Sequence, residues 1–241
     1  MKADRRVIDY LTPRCTPSTL DSYGNVRLLL EALRRDLGNM KGEVLDVGCG
    51  RMPYKTLILS EPSRATKYIG MDIPNGNYGE PDVVWDGRAI PLSDCSVDTA
   101  ILTEVLEHCP DAAAVLREVY RVLRPNGFLF LTVPFVWPIH CVPHDEFRYT
   151  PFSLRRILED VGFSSSSIEA TGGRHAVLGV ILGLWVRRRP LTSRVHVLTK
   201  ILLSFLLWPV IWSLVEIDKR PENLEESTLF VGLSVSAHKP S

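Results

Sequence analysis

Three short stretches of the chain gather side chains that can do chemistry. In the first, His140-Cys141-Val142-Pro143-His144-Asp145-Glu146-Phe147-Arg148-Tyr149-Thr150, imidazoles, carboxylates and a guanidinium lie close together in sequence. Histidine is the side chain that exchanges protons at neutral pH, and arginine offers a planar fork to an anionic or polyhydroxylated ligand. His144 is therefore the expected general base, with His140 competing for the same work, and Arg148 and Tyr149 are expected to meet an acceptor. A structural alternative is that His144-Asp145 caps a helix beginning near Pro151-Phe152-Ser153.

The second stretch holds Glu104, Glu107 and His108, spaced i, i+3 and i+4. That spacing puts all three on one face if a helix starts by Glu104. His108 joins His144 as a catalytic candidate, and Glu104, Glu107 and His108, two carboxylates and an imidazole, are donor types a divalent ion takes. The stronger reading of the carboxylates is that they face water from a helix surface.

In the third, Val44-Leu45-Asp46-Val47-Gly48-Cys49-Gly50 puts an apolar strand directly before a glycine pair, so the backbone can turn sharply and approach a ligand. A dinucleotide fingerprint wants a further glycine where Pro53 stands, and proline has no amide hydrogen for a phosphate. Asp72 closes the next apolar run 22 residues after Gly50, where an acid at a strand's carboxyl end accepts ribose hydroxyls.

The elements that must position these groups follow from hydrophobic spacing. Leu28, Leu29, Leu30, Leu33 and Leu37 recur at helical intervals and stop at Gly38-Asn39, which predicts an N-terminal cap helix. Five short apolar runs, 44–47, 68–71, 83–85, 99–102 and 128–133, alternate with helical stretches. Ala112, Val115, Leu116, Val119, Val122 and Leu123 line one face of a helix that Pro125-Asn126-Gly127 is expected to stop. The pattern predicts an α/β chain: a Rossmann-like, mostly parallel sheet with helices on both faces. After Gly172 two strongly apolar stretches, 176–186 and 201–215, flank Arg187-Arg188-Arg189, and 228–237 alternates like an edge or hairpin strand. The expected division is a helical cap over 1–41, a cofactor-binding core over 42–172, an apolar helical insertion over 173–226, and the final strand over 227–241.

Read together, the motifs between Glu43 and Val133 resemble the class I S-adenosylmethionine-dependent methyltransferases, in particular the small-molecule subgroup called type 11. The resemblance implies a seven-stranded sheet and S-adenosylmethionine as cofactor. It implies a methionine-binding loop at Asp46, Gly48, Cys49 and Gly50, a ribose acid at Asp72 beside Ile73, and an adenine border at Asp86 and Gly87. Glu104 lies in Leu102-Thr103-Glu104-Val105-Leu106-Glu107-His108, which matches the stretch after the fourth strand, and Arg121-Val122-Leu123-Arg124-Pro125-Asn126-Gly127 matches the turn before the fifth. Met52 and Pro53 depart from members that carry another glycine there. The Glu-x-x-Glu-His arrangement also looks like that of some metal-assisted O-methyltransferases, in which a later histidine completes the site; the resemblance implies His144 as that fourth ligand beside Glu104, Glu107 and His108. An Asn/Asp-Pro-Pro-Tyr motif and a Pro-Cys nucleophile are both missing, so an oxygen acceptor is the better expectation.

Bulk composition narrows the partners. Lys and Arg number 28 and so do Asp and Glu, leaving no overall field to draw nucleic acid. Five cysteines form no C-x-x-C pair and Met1 to Leu11 lacks an apolar signal core, so a reducing cytoplasm fits best. Residues 201–215 are uncharged but interrupted by Pro209, short of the roughly 20 apolar residues a span needs. Trp185, Trp208 and Trp212 with Arg187, Arg188, Arg189, Arg194 and Lys200 instead suit a segment, 176–217, lying on the cytoplasmic face of a membrane. A hairpin packed on the core, over the active site, or across a homodimer interface is the alternative. The expected activity is O-methylation of a small or lipid-linked acceptor, a saccharide among them, with Tyr23 on the acceptor side. Its rivals are a catalytically silent cofactor-binding adaptor and, against Pro53, a nicotinamide-dependent oxidoreductase.

Overall fold

The computed structural model describes residues 9–74, 80–188 and 194–241. The apolar runs lie in strands β1 (Lys41–Val47), β2 (Arg64–Asp72), β3 (Val83–Val84, one residue shorter than its run), β4 (Val97–Thr103) and β5 (Leu123–Pro134), followed by β6 (Ser164–Ala170) and β7 (Gly232–His238). They make one seven-stranded sheet in the order β3-β2-β1-β4-β5-β7-β6. The first five pair in parallel, and β7 runs antiparallel to both of its neighbours. The helices are α1 (Tyr23–Asp36), α2 (Lys55–Ile58), α3 (Ala112–Val122), α4 (Pro151–Val161), α5 (Arg174–Arg187) and α6 (Arg194–Glu216).

Strand alternation sorts the core into two layers. Leu45, Ala100, Leu102, Leu129 and Leu131 pack with Val115, Val119, Leu154 and Leu158 of α3 and α4. Their neighbours in sequence, Val44, Ile101, Phe128 and Phe130, pack with Leu29, Leu30 and Leu33 of α1. Each such fully buried side chain contributes roughly 1.5–3 kcal/mol, so this alternation fixes the sheet's register. The expected helices on both faces are therefore present.

Local chemistry sets the helix ends. Asp111 accepts the Ala114 N–H at 2.8 Å and starts α3. Thr150 starts α4 in a reciprocal capping box with Ser153, Pro151 fills the first turn, and Gly162 ends the helix at φ 108°. The cap is thus Thr150 rather than His144-Asp145. Helix α3 stops at Val122, so Pro125-Asn126-Gly127 falls within β5, where Asn126 bends the chain at φ 60°.

Two strands differ from expectation. The alternating run near the C-terminus is an interior strand, because β6 pairs along its far side. Strand β6 itself opens on four serines and carries no apolar alternation, so it left no hydrophobic signal to read.

Helix α6 also differs. It continues through Pro209 for 23 residues, and Val195–Glu216 is long and apolar enough to cross a membrane by length and composition. Counting only unbroken uncharged residues understated it, because Lys200 and Pro209 interrupt the composition without ending the helix. α5 and α6 form a hairpin whose close approach depends on a glycine. A Cβ on Gly179 would lie 3.2 Å from Val215 Cγ2 and 3.4 Å from Leu214 Cβ of α6, and one on Gly183 would lie 2.0 Å from the Leu20 carbonyl oxygen, so Gly183 seats α5 on the N-terminal segment.

Candidate functional site

In the strand order, β1 and β4 are neighbours from which the connections run in opposite directions, and open α/β sheets bind ligands beyond the carboxyl ends of such strands. The glycine loop follows β1, and Glu104, Glu107 and His108 follow β4. The 135–150 segment follows β5 on the same edge.

The loop is held from behind. Gly48 and Cys49 donate their N–H groups to the Met71 carbonyl at 2.8 and 3.0 Å. Gly48 turns at φ 70°, where a Cβ would press to 2.5 Å from Val105. Gly50 turns at φ 53°, and nothing stands within 4 Å of where its Cβ would be, so the backbone there is open to a ligand. Asp72 Oδ2 accepts the Gly50 N–H at 2.8 Å and Oδ1 accepts the Ile73 N–H at 2.7 Å. Tyr68 donates its hydroxyl to Asp46 Oδ2, while Asp46 Oδ1 is buried and unpartnered.

Burial pushes the Asp46 carboxyl up to about 7; the Tyr68 hydrogen bond opposes the rise and the Asp72 charge adds to it. A folded value above the unfolded one gives stability that is fully present below the ordinary carboxyl range and lost as pH rises through about 7. Asp46→Asn is accordingly expected to flatten the decline in melting temperature between pH 5 and 8, read by thermal denaturation of both proteins. An unchanged slope would place the ionisation elsewhere.

At the end of β4 the backbone departs from the helix expected there. Glu104 takes φ 56°, and only Leu106–His108 form a short 3₁₀ turn, so Glu104, Glu107 and His108 do not share a helical face. They still converge. Burial pushes the Glu104 carboxyl up to about 7, with the Thr132 and Asn25 side chains opposing the rise. Glu107 is fully buried, neither carboxyl oxygen has a hydrogen-bond partner, and burial followed by the Glu104 charge holds it well above the carboxylate range. His108 Nδ1 lies 2.6 Å from the His144 carbonyl oxygen, and its Nε2 lies 3.7 Å from Glu107 Oε1. A carbonyl can only accept, so Nδ1 carries a proton, and in the neutral ring the lone pair is on Nε2.

The His144 side chain is exposed, and the contact it makes to His108 is through its carbonyl. The second imidazole against His108 belongs to His140, with ring centres 4.7 Å apart. Burial, then the His108 charge, pulls His140 below its ordinary value, while Asp145 Oδ2 sits 3.3 Å from His140 Nδ1. Among the described residues, His108, His140 and Cys141 have donor atoms all within 4.8 Å of one another. An ion here would draw on that set, in place of Glu104, Glu107, His108 and His144.

Arg148 lines a cleft of about 230 Å³ with Trp137, Ile139, Asp145, Glu146 and Phe147. Its fork is engaged: both terminal nitrogens bond Asp145 at 2.7 and 2.9 Å, and they also reach the Phe147 and Trp137 carbonyls. This pairing holds the Asp145 carboxyl far below its usual range. Tyr149 is buried and donates its hydroxyl to the Leu106 carbonyl at 3.1 Å, and Tyr23 is buried and donates to Glu216 of α6. Both tyrosine hydroxyls are thus held by partners within the chain. Asp86 is exposed and accepts the Arg88 and Ala89 N–H groups at 2.8 and 3.0 Å, capping its own turn beside Gly87 at φ 81°.

Residues 45–131 match the model of the methyltransferase domain family. Residues 45–131 are a class I S-adenosylmethionine-dependent methyltransferase domain. A probable S-adenosylmethionine-dependent methyltransferase of Mycolicibacterium smegmatis is 31% identical over 106 residues, covering 38% of each chain. A ubiquinone biosynthesis O-methyltransferase of Paracidovorax citrulli is 31% identical over 100 residues, 37% of this chain and 42% of that one. The chain thus spans less than half the length of these curated relatives. Among solved structures, the [4+2]-cyclase SpnF superposes with a TM-score of 0.56 at 17% identity, over 89% of this chain and 81% of that one. Haemonchus contortus phosphoethanolamine N-methyltransferase 2, bound to phosphomonomethylethanolamine and S-adenosylhomocysteine, superposes with 0.55 at 17%, over 89% and 53%. Those likenesses establish the fold.

The methyltransferase domain suits its family's cofactor. A ribose diol and a cofactor backbone ask for a carboxylate and open main chain, which Asp72 and the open face of Gly50 provide. Sequence reasoning missed Tyr68, which reads as an ordinary core aromatic, and chose His144 over His140 within one segment.

Proposed function

We propose that this chain transfers a methyl group from S-adenosylmethionine to an oxygen of a small or lipid-linked acceptor, with His108 Nε2 taking the hydroxyl proton. The observation that carries the reading is the His144 carbonyl at 2.6 Å from His108 Nδ1, which fixes the neutral ring's tautomer and leaves Nε2 as its basic nitrogen, on the segment that follows β4 at the ligand-binding edge of the sheet. When bound, the cofactor supplies an already activated methyl group. The chain's part is to align the acceptor and remove one proton. Asp145 and Arg148 hold the 137–148 segment so that His140 packs against His108, and the cleft lined by Trp137, Ile139 and Phe147 gives an acceptor an apolar wall. His144 supports this chemistry by its backbone, so its imidazole is dispensable.

The test is transfer of labelled methyl groups from S-adenosylmethionine to hydroxylated small molecules and to a total lipid extract. His144→Ala is expected to keep the rate within about threefold, since a carbonyl survives any substitution. Dialysis against a chelator is expected to leave the rate unchanged; a loss restored by Zn²⁺ would move the role to an ion on His108, His140 and Cys141. Cofactor binding with no labelled product from either acceptor class would favour the silent adaptor instead.

A further inference from the structure

Helix α6 leaves most of its circumference bare. Val195, Val197, Leu198, Ile201, Leu202, Phe205, Leu206, Trp208, Val210 and Trp212 are all exposed, the most open of them to about two thirds. At 100° per residue they sweep an arc of about 220°, from Val197 round to Val210. The remaining arc, with Ser204, Ile211 and Val215, is buried against the domain. Leu178, Ile181 and Trp185 of α5 extend the apolar surface.

The breadth of the arc identifies what covers it. A partner helix or a second copy of the chain meets a helix along a stripe of roughly 100–140°, as a packed core does. An arc of more than half the circumference calls for a continuous apolar medium. Helix α6 cannot enter that medium end-on, because it lies along the domain: Cys15 Sγ contacts the Trp208 carbonyl, Ile211 packs on Leu20, and Tyr23 and Arg27 hold Glu216. Length sufficient to span is thus used lengthwise. Exposed Trp185, Trp208 and Trp212 are the amphipathic rings of an interface.

We infer that the α5–α6 hairpin docks flat on a lipid bilayer, with α6 sunk to the level of its exposed arc. The hairpin also touches the site. Arg188 lies 4.9 Å over the Trp137 ring, a wall of the 230 Å³ cleft, and Ile139 and Val142 on the same segment are more than 70% exposed. Resting on the methyl-transfer reading, this arrangement makes the acceptor a bilayer-resident amphiphile whose polar head enters the cleft.

The experiment is vesicle flotation of the full chain with phosphatidylcholine alone and with phosphatidylcholine containing phosphatidylglycerol. Wild type is expected to float with both. Leu202→Glu/Leu206→Glu, at two exposed positions, is expected to lose at least tenfold in bound fraction while cofactor binding by calorimetry is unchanged. Release of the bound wild type by alkaline carbonate completes the expected result. Resistance to that wash, an absence of flotation, or a detergent-free dimer that the double variant dissociates would overturn it. Flotation is read without cofactor and calorimetry without lipid, so failure of the docking and failure of the methyltransferase reading register separately.

Discussion

Asp72→Ala is expected to weaken S-adenosylmethionine binding by roughly 100-fold or more, about 3 kcal/mol, in isothermal titration. The carboxylate is placed for two tasks. It accepts the Gly50 and Ile73 N–H groups at 2.8 and 2.7 Å, and it ends β2 where a ribose would meet the sheet edge. Removing it frees the loop and deletes a charged acceptor, and hydrogen bonds to a charged group contribute about 1.5–3 kcal/mol each. Asp72→Asn separates the tasks. It keeps one acceptor oxygen for Gly50 and loses the charge, so an intermediate loss of about tenfold is expected. If Asp72→Ala folds with an unchanged melting temperature and binds within threefold of wild type, Asp72 serves the loop alone and the ribose is held elsewhere.

The portion of the fold legible in the sequence was the portion whose burial is periodic. Strands β1, β4 and β5 alternate between two apolar layers, and α3 carries one apolar face, so spacing alone located them. Strand β6 is a polar edge whose order comes from β7 across the sheet, a non-local partner that no window of sequence contains. The site divides in the same way. Gly48, Gly50 and Asp72 are tied to strand ends and stand as the motif places them. Beyond β5, position is set by backbone conformation: Cys141 turns at φ 51°, which brings His140 against His108 and sends the His144 ring to solvent. Spacing along the chain had made the two histidines equivalent. Arg148 and Tyr149 were expected near an acceptor from their position at the sheet edge; Arg148 lines the cleft there while bonded to Asp145, and the Tyr149 hydroxyl is taken up by Leu106.

His108→Ala is expected to lower kcat for methyl transfer by roughly 10²–10⁴-fold, the usual contribution of a positioned base, with S-adenosylmethionine affinity held within about twofold. Its partner Glu107 supplies a second, opposite readout. A fully buried carboxyl without hydrogen bonds is favoured by the fold when neutral, so its stabilising contribution is complete at low pH and disappears as pH rises through the raised folded value. Glu107→Gln removes that liability. The variant should melt within error of wild type at pH 4 and on the order of 2–4 °C above it at pH 8. If Glu107 positions His108 through the 3.7 Å approach of Oε1 to Nε2, the same change should lower kcat about tenfold while KM for the acceptor is unchanged. It should also erase whatever pH dependence wild-type kcat shows over the interval in which the two melting curves separate. A group kept for packing would move stability and leave kcat and its pH profile alone. Should Glu107→Gln both raise the melting temperature at pH 8 and lower kcat, the buried carboxyl costs stability and sets the rate, which is what a site selected for turnover contains and a silent adaptor has no use for.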